Sequence, residues 1–263
     1  MMPQGEKGEG TMEVVGIKVA YIVVIFLAGV LGGLAPLRKK SLSGHGAGVG
    51  FQRGEAFAGG VFLGAGLLHL LPDAESNFTT LMPNQDFPLA PLFAGIGILA
   101  ILLFDHASSK GSAHKDRTPI LLMIMLSVHS IIAGAALGIE GGMASSIALF
   151  VAIMAHKSSA GFALGVALAK SDTALSESKR QIYVFSLMTP IGVVLGSVMA
   201  EVFTGRSGVL FEALFDSVAA ATFLYMSLGS ILPNAMQRDY GLTIQWIVAI
   251  LGFTTMALIA IVA

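Results

Sequence analysis

HSIIAGAALG, residues 129–138, has a near copy twenty-seven residues further on: HKSSAGFALG, residues 156–165. Both read His-x-x-x-Ala-Gly-x-Ala-Leu-Gly, and each lies at the centre of an apolar run long enough to cross a bilayer, about 20 residues. A histidine midway along such a run is costly to bury and points to function. The small residues that follow are the pattern that lets helices approach closely in lipid. These two segments set the fold class, an all-α polytopic membrane protein.

The rest of the chain agrees. Of its 263 residues 55% are hydrophobic and 12% charged, against about 25% charged in a soluble domain. The charges cluster between apolar runs. Eight spans are expected, at about 14–35, 55–72, 89–107, 119–139, 147–169, 182–203, 210–232 and 242–262. The runs are too long, and alternate too little, for barrel strands. The N-terminal segment has one lysine and three glutamates before the first run. A cleaved signal would want a basic start and a shorter apolar core, so the first run is expected to be a retained span. The chain reads as a single transmembrane domain, integral to a plasma or inner membrane.

Orientation follows the basic residues. Arg38, Lys39, Lys40, Arg53, Lys110, Lys115, Arg117, Lys170, Lys179, Arg180 and Arg238 fall in or beside the odd-numbered loops, eleven of the fifteen Lys and Arg. Odd loops are therefore expected to be cytoplasmic, with both termini extracytoplasmic. The even loops carry Asp73, Glu75, Asp86 and Glu140, an acidic face that would concentrate cations. A net charge of −1 gives no footprint for nucleic acid. With no cysteine, thiolate metal sites and cysteine nucleophiles are excluded. There is no G-x-x-x-x-G-K-[ST] and no H-E-x-x-H, which removes a P-loop ATPase and a zincin.

In this topology helices 4 and 5 run antiparallel, joined by the short loop IEGGMAS. His129 and His156 should meet near the midplane, with the small-residue ladders packing the two helices against each other. Two imidazoles there suit a divalent cation such as Zn²⁺ or Fe²⁺. The bland alternative is two histidines that each satisfy a carbonyl. A different class, a bis-histidine haem protein, uses the same pair. Lys157 must pair, face water or lose its proton; a tie between helices is the expected role, because a protonated lysine has no lone pair for a metal. His69 and Asp73, four apart on helix 2, are a candidate outer relay. Asp105 and His106, at the inner end of helix 3, are a candidate exit. Glu201, Glu212 and Asp216 are expected near the outer ends of helices 6 and 7. Thr189–Pro190 is expected to break helix 6. The thirteen methionines are scattered and read as packing.

The chain as a whole resembles the ZIP (Zrt-, Irt-like) metal transporters. The likeness rests on AGGVFLGAGLLHLLPDA in helix 2, the two histidine motifs, SLMTPIGVVLG in helix 6 and AAATFLYMSLGSILPN in helix 7. It implies eight helices, both termini outside, and a transport site formed by helices 4 and 5. The substrate it implies is usually Zn²⁺, sometimes Fe²⁺ or Mn²⁺, moving toward the cytoplasm; no resident cofactor is implied. A homodimer and the surrounding bilayer are the partners implied. The His-Lys pair of helix 5 resembles the subgroup in which lysine occupies the place of a second metal, here Lys157. The family's helix 4 motif is His-Ser-x-x-Glu-Gly, whereas this chain has Ala133 at the glutamate position. His129 and His156 would then hold a dication with only water, Ser130 or Ser159. An introduced substitution, a weakened or altered transporter, or a carboxylate from another helix would each account for Ala133.

Overall fold

The computed structural model describes residues 4–43, 49–108, 114–199, 205–236 and 242–261. Among these residues all regular structure is helical, and eight helices are long and apolar enough to cross a membrane. Six are simple: α1 (Gln4–Ser43), α3 (Leu89–Ser108), α4 (His114–Ile139), α5 (Met143–Lys170), α6 (Leu175–Met199) and α8 (Leu242–Ala260). Two are composite. In α2 a π turn, Gly66–Leu70, joins Val49–Ala65 to Leu71–Leu81. In α7 a π turn, Ser227–Ile231, joins Arg206–Met226 to Leu232–Met236.

The composite helices depart from the boundaries expected at Pro72 and residue 232. After the π turn Pro72 falls in the first turn of the next helical segment, where a missing N–H costs nothing, so α2 continues to Leu81. Helix 6 departs too: it begins at Leu175 and runs unbroken through Pro190 to Met199. Its polar first turn is helical because Glu177 suits a helix N-terminus and accepts from Arg180, 2.8 Å away. Glu201, Lys110 and Arg238 lie outside the described residues.

The two π turns occupy matching places in an internal repeat. Residues 58–74 of α2 and 219–235 of α7 align with Ala58/Ala219, Phe62/Phe223, Leu63/Leu224, Leu67/Leu228, Leu71/Leu232, Pro72/Pro233 and Ala74/Ala235 identical. The helices cross in opposite directions, and Phe62 and Phe223 stack face to face, centroids 4.8 Å apart and planes 1° from parallel. Inverted repeats of this kind are a common plan among secondary transporters.

Packing divides the helices into two bundles. One joins α1, α4, α5 and α6; the other joins α2, α3, α7 and α8. Glycines set both. A Cβ on Gly134 would lie 2.3 Å from the Thr189 carbonyl oxygen, and one on Gly192 2.1 Å from that of Ile131, so α4 and α6 touch backbone to backbone. Gly161 and Gly165 meet the Gly29 and Gly33 carbonyls of α1 in the same way. The expectation that the two A-G-x-A-L-G ladders face each other is therefore corrected. Each ladder turns away from its twin, one onto α6 and the other onto α1. The histidines, on another face of each helix, are left to look at one another. In the second bundle Gly60 and Gly64 meet α8, and Gly97 of α3 meets Ala221 of α7. Leu126, Leu164, Phe62, Phe185 and Phe223 fill the buried core between the bundles.

Candidate metal site between the bundles

His129 follows from its helix. It lies ten residues before the end of α4 at Ile139, and His156 lies thirteen residues after the start of α5 at Met143; the two helices run antiparallel from the loop between them, so both rings come to a similar depth. Their Nε2 atoms are 3.4 Å apart, and both residues are buried. Two nitrogens bound to one tetrahedral Zn²⁺ at 2.0–2.1 Å stand ~3.3 Å apart, so the pair already has the spacing of a chelate. Axial haem ligands lie on opposite sides of the iron with the macrocycle between them. Two Nε2 atoms in contact leave no space for that plane, and the haem alternative gains nothing from the geometry. His129 Nδ1 is buried and makes no hydrogen bond among the described residues. The Phe223 ring lies against both imidazoles, 4.4 Å from His129 and 5.4 Å from His156 between centroids, and stacks on Phe62.

On the other side of the pair a cavity of about 340 Å³ runs between the bundles toward the face that carries the α4–α5 loop. His129, His156 and Ala133 line its depth; Asp73, Glu140 and Glu212 line its mouth. His69 and Asp216 also line it. Basic groups near this face donate to helix carbonyls, and Lys18 also lies within charge interaction of Glu140. Lys18 Nζ donates to the Gly138 carbonyl, 2.6 Å away, and an Arg206 guanidinium N–H donates to that of Leu81, 2.8 Å away. Both satisfy carbonyls at helix C-termini, so the cavity keeps an acidic wall.

The structure sorts the remaining candidates. His69 Nδ1 and Asp73 Oδ2 are 2.8 Å apart on successive turns of α2, and both line the cavity. Lys157 points away from it. Its Nζ donates to Ser130 Oγ of α4 and Thr189 Oγ1 of α6, each 3.0 Å away, and to the Phe185 carbonyl at 3.4 Å. The Nζ also lies 3.8 Å from the Phe185 ring centroid. Three acceptors match the three donors of an ammonium, and the side chain joins three helices of one bundle. Ser130 is thus occupied by Lys157 rather than turned to the cavity, and Ser159 is buried but does not line it. Asp105 accepts a hydrogen bond from Tyr225 of α7 at 3.0 Å, and His106 is exposed; neither reaches the cavity. Among the described residues no three His, Asp or Glu side chains converge closely enough to hold a metal unaided.

Two features of the site escape a reading of the sequence. Asp216 is expected at a helix end, whereas the longer α7 carries it ten residues deep, onto the same cavity as the histidines. Phe223 packs against both imidazoles, and nothing about a phenylalanine in an apolar run singles it out. The signal for Phe223 is the α2–α7 repeat, which pairs it with Phe62; the repeat begins after Asp216 and carries no signal for it.

Comparison with known proteins places the chain in a family. The family model described as "ZIP Zinc transporter" matches residues 15–119 and 110–260. The chain is 28% identical to "Zinc transporter ZIP2" of Mus musculus, over 95% of this chain and 99% of that one. It is 26% identical to "Zinc transporter ZIP1" of Danio rerio, over 92% and 96%, and 26% identical to "Zinc transporter 11" of Arabidopsis thaliana, over 86% and 77%.

Proposed function

The chain belongs to the ZIP zinc transporter family, and we propose that it carries Zn²⁺ across the membrane toward the cytoplasm, with Fe²⁺ and Mn²⁺ as further substrates. It is an integral membrane protein of a family of transporters, not enzymes. The observation that carries the reading is the His129–His156 pair, Nε2 to Nε2 at 3.4 Å, at the foot of an acid-lined cavity.

A hydrated cation is drawn to the mouth by Asp73, Glu140 and Glu212, on the face that the positive-inside rule makes extracytoplasmic. His69 and Asp73 act as a relay, exchanging water for protein ligands stepwise. The two imidazoles then take the ion, with water completing its shell. Phe223 and Phe62 block onward passage, so the ion advances only when the bundles rearrange, toward an exit at Asp105 and His106. Lys157 stands in the place of a second metal, a fixed positive charge that leaves one transport site. Ala133 on the cavity wall supplies no carboxylate, so the ion is held more loosely than a glutamate there would hold it. The assembly we propose is a homodimer, to be checked by mass in detergent.

Zinc uptake into reconstituted vesicles tests the reading. His129→Ala and His156→Ala should each abolish saturable uptake while the proteins remain folded. Saturable uptake unchanged in both variants contradicts it.

A further inference from the structure

The histidine pair contributes two neutral ligands, and position 133 contributes none. A dication resting there needs negative charge from elsewhere. Four carboxylates line the cavity, and they are not equivalent. Asp73 is bonded to His69, and Glu140 Oε1 accepts from the Gly142 N–H at 2.6 Å. Glu212 and Asp216 have no hydrogen bond or salt bridge among the described residues; Asp216 lies within charge interaction of the His69–Asp73 pair, and of these two it is one turn deeper on α7. It stands two turns, about 10 Å along the axis, from Phe223, whose ring touches both imidazoles. The buried His129 imidazole, with its unpartnered Nδ1, lines the same space.

Resting on the reading of the histidine pair above, we propose that Asp216 is the charge-compensating carboxylate of this transporter, taking over from the opposite bundle the role that residue 133 leaves empty. It holds the ion on the mouth side of the imidazoles rather than completing their inner shell, consistent with the lack of a converged three-residue cluster among the described residues. The imidazoles belong to the α1-α4-α5-α6 bundle and Asp216 to the other, so the ion's stabilisation depends on how the bundles stand. Any movement that carries the histidines inward leaves Asp216 behind and loosens the ion. A carboxylate at 133 would travel with the histidines instead. Affinity that differs between two states is what a ligand needs in order to shift them.

A double-mutant cycle tests this on the purified full-length protein. The affinity for Zn²⁺ is measured by competition with a chromophoric chelator, and uptake KM in vesicles. Asp216→Asn should weaken zinc binding at least 10-fold and raise KM correspondingly. In the Ala133→Glu background the same change should cost less than 3-fold, because the charge is supplied locally. Asp216→Glu should retain wild-type affinity. An equal loss in both backgrounds, or no loss in either, overturns the proposal. If Asp216→Asn fails to fold, Asp216→Ser replaces it in the cycle. His129→Ala separates the two readings. If it abolishes binding while Asp216→Asn has no effect, only Asp216 is misassigned. If it has no effect, the histidine site itself is wrong.

Discussion

Gly192→Ala is the smallest change that tests how the histidine is positioned. The new Cβ would lie 2.1 Å from the Ile131 carbonyl oxygen and 3.0 Å from the Ala135 nitrogen, both backbone atoms of α4. Relieving the first contact to an ordinary 3.4 Å needs α4 and α6 to part by about 1.3 Å. No rotamer change can absorb that, since the obstacle is main chain. Overpacking of a tight interface costs about 1–3 kcal/mol, and a backbone obstacle belongs at the upper end, about 3 kcal/mol. The displacement also reaches function. Ile131 is two residues from His129, so moving α4 disturbs the 3.4 Å separation of the imidazoles that suits one ion. Gly95→Ala is the control. It lies in α3, where an added Cβ would meet nothing within 4 Å, and replacing a helical glycine by alanine there should gain about 0.5–1 kcal/mol. The assay is thermal unfolding in detergent, followed by zinc uptake. Gly192→Ala should melt well below Gly95→Ala and lose most uptake. Equal melting of the two variants would refute the backbone-contact account of the α4–α6 interface.

Ala133→Glu alone should tighten zinc binding about 10-fold, equivalent to about 1.4 kcal/mol, read by chelator competition; unchanged affinity counts against a metal position beside residue 133. Asp73→Asn should raise KM for zinc with little change in maximal rate, since it removes a mouth carboxylate bonded to His69 and not a deep ligand. Glu55→Gln breaks the 2.6 Å bridge to Lys170 between the bundles. Lys170 is 38% exposed and can rehydrate, so the loss should be about 1 kcal/mol rather than the roughly 3–5 kcal/mol of a fully buried pair, measured by thermal shift. Tyr225→Phe removes the bond to Asp105 and should cost about 1 kcal/mol in the same measurement.

Much of this is legible in the residues because bilayer crossing is a strong compositional constraint. The apolar runs mark eight helices, and the repeated His-x-x-x-Ala-Gly motif puts both imidazoles at one depth. What composition cannot encode is the direction in which a helix face turns. The glycines of 134–138 and 161–165 announce close-contact surfaces but not which neighbour each surface meets, since two helices adjacent in sequence need not share their tightest interface. Pro72 and Pro190 look like stops. A π turn before the first puts it where no N–H is needed, and α6 carries the second without a break. Asp216 looks peripheral for a related reason: the apolar run starts near residue 210, and the four earlier helical residues push the carboxylate inward.

The most direct test of the central claim is the zinc X-ray absorption spectrum of the loaded protein. The account predicts two imidazole nitrogens at about 2.0–2.1 Å, with the remaining ligands oxygen. Where His129→Ala or His156→Ala still loads zinc at the millimolar concentrations of the measurement, each should show one imidazole fewer. A bound zinc whose imidazole count is the same in all three proteins would contradict it.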